Sequence, residues 1–222
     1  MKLMAFLLLF VSAFTFAQEK QAPAAPAFWN DITRFKKQDE SNKPQSNAIL
    51  FVGSSSFTKW TDVQTYFPEY PIINRGFGGS TLLDVIRYAY DVILPYQPKQ
   101  VIIYCGENDV ASGQKPSADE VVTRFKTLYG IIRQNLPNAT IDFVSLKPSP
   151  SRTQYFNTMK DVNRQIAAFL KKQKKAHFIN VFDAMLDANG KPMENIFLED
   201  RLHMNAAGYA IWQKIMQPYL LK

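Results

Sequence analysis

Five short apolar runs rich in β-branched residues constrain this chain more than any other feature, because each is separated from the next by a stretch of helical periodicity. The runs cover residues 48–52, 72–74, 101–105, 141–145 and 178–182. They are nearly continuous in apolar character rather than alternating, the pattern of strands covered on both faces. Between them, Ser117-Ala118-Asp119-Glu120 reads as a capping box, followed by Val121, Phe125, Leu128 and Ile132 on one helical face. Met159, Val162, Ile166 and Phe169 repeat that spacing, Asn205 is placed to cap a last helix that turns Ile211 and Ile215 inward, and residues 28–39 suit a short amphipathic helix at the edge. Strand–helix alternation of this kind predicts an α/β fold: a three-layer α/β/α sandwich around a flavodoxin-like, five-stranded parallel sheet of order 2-1-3-4-5. Ligands of such sheets bind beyond the carboxyl ends of the strands.

The 222 residues fit one domain that needs neither disulfides nor metals to bury a core. Residues 1–17 read as a cleaved export signal: Lys2 is followed by an apolar run, broken only by Ser12 and Thr15, that ends at the small residue Ala17. The run is shorter than the ~20 apolar residues of a membrane span, and no cysteine near its end offers a site for a lipid anchor. The expected organisation is therefore a signal (1–17), a Pro/Ala-rich disordered spacer (18–27) and a single domain (28–222), exported to the periplasm or the medium. Cys105 is the sole cysteine, so no internal disulfide forms, and its run Val101-Ile102-Ile103-Tyr104-Cys105 marks it as a small core hydrophobe. The net charge of +7 is concentrated in Lys171-Lys172-Gln173-Lys174-Lys175, at the expected end of a helix. No nucleic-acid recognition motif accompanies it.

Any chemistry that needs an imidazole must use His177 or His203, the two histidines of the chain. His203 follows Asp200 by three residues, a spacing at which a turn brings the carboxylate to the ring Nδ1–H. His177 has no acid near it in sequence and opens an apolar run. Ser55 lies in Gly53-Ser54-Ser55-Ser56 just after the first run, although Ser54 and Ser56 share that setting. The second run leads into Asn74-Arg75-Gly76-Phe77-Gly78-Gly79-Ser80-Thr81, with a helix expected from Thr81, and the third into Gly106-Glu107-Asn108-Asp109. Each segment taken alone is ordinary turn chemistry. All four nevertheless fall beyond the carboxyl ends of strands, where one pocket collects them.

In these four blocks, and over residues 48–219, the chain resembles the SGNH hydrolases, the GDSL-type lipase/esterase superfamily. The resemblance implies Ser55 as nucleophile, Asp200 and His203 as its triad partners, and an oxyanion hole made by the Ser55 and Gly79 amides with the Asn108 side chain. Register against the family's blocks selects Ser55 over its neighbours and Gly79 over Gly78. Ser54 departs from the usual Gly-Asp-Ser, and Gly-Ser-Ser-Ser followed by Trp60 resembles one branch of the superfamily. By this resemblance the chain is an exported serine esterase acting on small acyl esters, acetyl groups on carbohydrate foremost. It needs no cofactor and no metal, in keeping with the lack of zinc-ligand spacing in the sequence. Its expected partner is a small-molecule or glycan ester, without nucleic acid or stable membrane insertion. A lysophospholipase, thioesterase or arylesterase, or a catalytically silent glycan-binding protein, remains an alternative. Trp60, Phe77, Tyr155 and Phe156 are candidate walls of the substrate site, and Arg75 and Arg152 candidates to meet an anionic substrate.

Overall fold

The computed structural model describes residues 25–222. The expected signal, and all of the spacer before Ala25, lie outside them. Five parallel strands form one sheet of order β2-β1-β3-β4-β5: β1 (Ile49–Gly53), β2 (Ile72–Gly76), β3 (Gln100–Tyr104), β4 (Thr140–Val144) and β5 (Ala176–Ile179). β1, β3 and β4 are buried along their whole length, which explains why their sequences do not alternate. Successive side chains point to opposite faces and feed two separate cores. Leu50, Val52, Val101, Ile103, Ile141 and Phe143 pack under the helices Trp29–Ser41, Leu82–Arg87, Ala118–Asn135 and Phe156–Leu170. Ile49, Phe51, Ile102 and Tyr104 pack against the 55–67 segment and the last helix, Ala206–Met216. The result is the α/β/α sandwich expected from the sequence.

Several local expectations shift. The fifth strand begins and ends earlier than residues 178–182, because the amides of Val181 and Phe182 are taken by the Ser145 hydroxyl at 3.0 and 3.1 Å instead of by the ladder. In the last helix Asn205 accepts from the amides of Ala207 (2.9 Å) and Gly208 (3.3 Å), as a cap should. The fully buried stripe there is Tyr209, Trp212 and Met216, one position away from the expected Ile211 and Ile215, which are half-buried. Two aromatic rings and a methionine thereby fill the space under β1 and β3. The end of the expected spacer is held to the domain: Tyr88 Oη donates to the Ala27 carbonyl at 2.6 Å, and the Trp29 amide to Pro26 at 3.1 Å.

The Ser117 capping box forms as read, with Ser117 Oγ accepting from the Glu120 amide and the Glu120 carboxylate accepting from the Ser117 amide at 2.7 Å. Ser117→Ala should lower stability by about 1 kcal/mol. Chemical denaturation of the two proteins measures it, and an unchanged midpoint would show that the helix is held by packing alone.

Candidate active site

Gly53 ends β1 at φ +137°, and a Cβ there would sit 2.0 Å from the Tyr104 carbonyl oxygen of the neighbouring strand. Only glycine lets the chain leave the sheet this close to β3, and the turn it makes delivers Ser55 as the first residue of a short helix, Ser55–Thr58. That turn is held from β2. Asn74 Nδ2 donates to the carbonyls of Phe57 (2.7 Å) and Trp60 (3.3 Å).

The segment between β5 and the last helix folds back over this turn. Its 198–204 loop closes with the Leu198 amide donating to the His203 carbonyl at 2.7 Å. Asp200 Oδ1 accepts from the backbone amides of Leu202 and His203, both at 2.9 Å, while Oδ2 lies 2.6 Å from His203 Nδ1. His203 Nε2 lies 2.9 Å from Ser55 Oγ. Residues 148 positions apart thus form a continuous carboxylate–imidazole–hydroxyl chain. The His203 side chain is 15% exposed and that of Asp200 46%, so the chain sits at the rim of the molecule and not in its interior. Partial desolvation raises the Asp200 pKa, but the hydrogen bonds from the His203 ring, the two amides and the nearby imidazole outweigh it and hold the carboxyl well below its usual range. An ionised carboxylate can only accept, so Nδ1 carries the ring proton and Nε2 is left to take one from Ser55. Neither neighbouring serine engages the ring: Ser54 Oγ bonds Asn108, and Ser56 Oγ is buried without a partner.

Gly106 opens the turn after β3 and places Asn108 beside this chain. Asn108 is clamped at three points: Nδ2 donates to Ser54 Oγ (2.7 Å) and to the Ser80 carbonyl (3.0 Å), and Oδ1 accepts from Arg152 Nη2 (2.9 Å). Beneath it lies a buried ionic cluster. Glu107 accepts from Lys147 Nζ at 2.7 Å and Ser149 Oγ at 2.8 Å, is bonded by the Tyr104 hydroxyl, and lies 3.5 Å from Arg152 Nη1. Burial opposes the Glu107 charge, but the Lys147 and Arg152 cations hold its carboxyl below the usual range. Asp109, fully buried, accepts from the Leu82 amide (2.9 Å) and Arg124 (2.8 Å) and so fixes the third block to the helix that follows the second. Thr81 caps that helix with a reciprocal Asp84 pair, as the expected start at Thr81 requires. Gly79 takes φ +86°. Neither its amide nor that of Gly78 donates to an acceptor among the described residues.

The proposed wall and anion residues fare differently. Trp60 and Phe77 are wholly buried, Trp60 stacked on Tyr209 at 4.7 Å and Phe77 edge-on to Phe28 and Tyr88. Both are core residues and not walls of the site. Arg75 turns away from Ser55 to the opposite face, where it pairs with Asp39 and donates to Tyr96 Oη at 2.7 Å. It lines a groove of about 1120 Å³ along the outer edge of β2 that contains none of Ser55, Asn108, Asp200 and His203. Tyr155 and Phe156 are half-buried, Phe156 edge-on to Phe182. Arg152 alone stays at the site, spent on Asn108 and Glu107. His177, read as having no acid near it, lies 2.8 Å from Asp142 Oδ1, because parallel pairing of β4 with β5 sets Asp142 opposite His177. That pair sits toward the amino end of the sheet, away from Ser55. Among the described residues no group of three or more His, Cys, Asp or Glu side chains is placed to hold a metal ion.

A parallel α/β/α sandwich bearing a Ser–His–Asp chain beyond its strand ends defines a class of carboxylic ester hydrolases. The comparisons agree. Residues 50–211 match the GDSL-like Lipase/Acylhydrolase family, and the chain belongs to it. No curated protein sequence matches significantly. Among solved structures, the fold is similar to that of a Streptococcus pneumonia protein provisionally described as a platelet activating factor (TM-score 0.75, 21% identity, 86% of this chain and 92% of that one). It is also similar to a GDSL-like lipase from Bacteroides thetaiotaomicron (0.73, 19%, 85% and 96%). A catalytic variant of an acetylxylan esterase from Geobacillus stearothermophilus matches at 0.60, with 19% identity over 79% of this chain and 95% of that one.

Proposed function

We propose that the chain is an exported serine esterase that hydrolyses small acyl esters, acetyl groups on carbohydrate foremost, through an acyl-enzyme on Ser55. The observation that carries this reading is the 2.9 Å contact between Ser55 Oγ and His203 Nε2, continued at 2.6 Å from Nδ1 to Asp200. His203 takes the Ser55 proton as Oγ attacks the carbonyl carbon, then gives it to the leaving alcohol. Water attacks the resulting ester with His203 again as base. Asp200 stays ionised throughout and stabilises the imidazolium. The Ser55 amide, first in its helix and so without an intrahelical acceptor, and the Gly79 amide meet the oxyanion beside Asn108.

The acetyl and glycan assignment is supported by the fold shared with an acetylxylan esterase and by the position of the site at an open rim. Export rests on the composition of residues 1–17, and no helix among the described residues is long and apolar enough to cross a membrane. Hydrolysis of p-nitrophenyl acetate, octanoate and palmitate, followed by acetylated xylo-oligosaccharides, tests the substrate class. Preference for acetate is expected, and preference for palmitate would identify a long-chain acylhydrolase instead.

Asn108→Ala should lower kcat about 10²–10³-fold, the usual loss on removing one oxyanion donor. Near-normal turnover would reduce Asn108 to a turn residue. The pH profile offers a separate check. The Asp200 pKa is depressed in the fold, so what its charge contributes is present above the ordinary carboxylate range and is lost only as pH falls below it. Between pH 4 and 7, kcat/KM should therefore carry no ionisation from Asp200. An ionisation in that window that vanishes in Asp200→Asn would mean that Asp200 titrates there.

A further inference from the structure

Ser54 stands where the family's usual motif carries aspartate, and the mechanism above gives its side chain no part. The residue is almost wholly buried, yet its hydroxyl meets the atom on which the oxyanion hole depends, accepting from Asn108 Nδ2 at 2.7 Å. A carboxamide nitrogen has two protons. The second goes to the Ser80 carbonyl at 3.0 Å, and Arg152 holds Oδ1 at 2.9 Å, so the amide cannot rotate without losing three contacts and meets the substrate oxygen only by sharing the proton that Ser54 accepts. The Ser54 hydroxyl has one proton of its own, and that proton has no acceptor among the described residues.

We infer that the Ser54 hydroxyl is itself an oxyanion donor, holding the Asn108 amide with a lone pair and presenting its own proton to the substrate oxygen. The inference rests on the assignment of Ser55 as nucleophile and adds a donor to that site. An ionised aspartate at this position accepts only. It can hold Asn108, but it sets a negative charge near the developing oxyanion and offers no proton. Serine accepts and donates at once. Arg152, Asn108 and Ser54 then form a chain of donors, each polarising the next, whose pull on the oxygen grows as charge develops there.

Steady-state hydrolysis of p-nitrophenyl acetate by the wild type, Ser54→Ala, Ser54→Asp and Ser55→Ala tests this, with thermal melting to establish that each is folded. Ser54→Ala should lose about 10²-fold in kcat with KM nearly unchanged, the signature of an interaction made only in the transition state. Its affinity for a boronic acid that mimics the tetrahedral adduct should fall by the same factor. Ser54→Asp keeps an acceptor for Asn108 without a proton to give, and should be no faster than Ser54→Ala. Wild-type turnover in Ser54→Ala would overturn the inference. So would recovery of turnover in Ser54→Asp, which would leave Ser54 a positioning residue for Asn108. Activity that survives in Ser55→Ala would instead overturn the nucleophile assignment, whatever the Ser54 variants do.

Discussion

Ser55→Ala should abolish ester turnover, with a loss in kcat on the order of 10⁶, the scale set by removal of a triad nucleophile in serine hydrolases. The variant removes one oxygen from a helix turn that Asn74 holds through the Phe57 and Trp60 carbonyls and that Tyr209 Oη braces through the Ser56 carbonyl at 2.8 Å. None of these contacts uses Ser55 Oγ, so the melting temperature should hardly move. Adding Asn108→Ala to Ser55→Ala should lower the residual rate further, because the catalysis that survives loss of a triad member comes from the oxyanion hole and binding. A p-nitrophenyl acetate assay with active-site titration measures both. If turnover in Ser55→Ala stays within tenfold of wild type, the hydroxyl 2.9 Å from His203 is not the nucleophile.

Glu107→Ala should cost about 3–5 kcal/mol of stability, the usual penalty for leaving one partner of a buried ion pair without the other. The glutamate lies beneath Asn108, with the side chains of Glu107 and Lys147 only 5% and 2% exposed and 2.7 Å apart. Burial holds the Lys147 pKa below its usual value, and the Glu107 carboxylate offsets only part of that. Without that carboxylate the ammonium either stays charged in an apolar setting or gives up its proton, and both are unfavourable. Urea denaturation gives the loss, and Glu107→Leu combined with Lys147→Met should recover only part of it. An apolar pair avoids the desolvation of both ions but leaves the Tyr104 and Ser149 hydroxyls without their acceptor. Turnover of that double variant should remain low, because Arg152 has lost the carboxylate that holds it against Asn108. A double variant as active as wild type would mean that Arg152 needs no such support.

The sheet was legible from sequence because burial on both faces writes itself into every residue of β1, β3 and β4. Strand–helix alternation implies parallel strands, for which the order 2-1-3-4-5 is a common arrangement. The segments around 55, 79, 108 and 200–203 stood out for a related reason, since each lies just past a strand or in a short local motif such as Asp-x-x-His. Choosing Ser55 over Ser54 and Ser56, and Gly79 over Gly78, rested on resemblance to the family's blocks. Contacts made across the sheet left no such trace. The pairing of Asp142 with His177 is fixed by the register of β4 on β5, and nothing in either segment announces the other. Trp60, Phe77 and Arg75 sit within a few residues of the site in sequence but point to other layers, since neighbouring side chains on a strand or turn face opposite ways. The buried cluster of Tyr104, Glu107, Lys147 and Ser149 joins two strand ends about 40 positions apart, and only packing shows that the lysine has a counter-ion. Local hydrophobic pattern and turn chemistry thus determined the layers and which loops stand at the rim. Tertiary structure alone decided which side chains those loops bring within hydrogen-bond range, because that depends on distances between segments that no local pattern encodes.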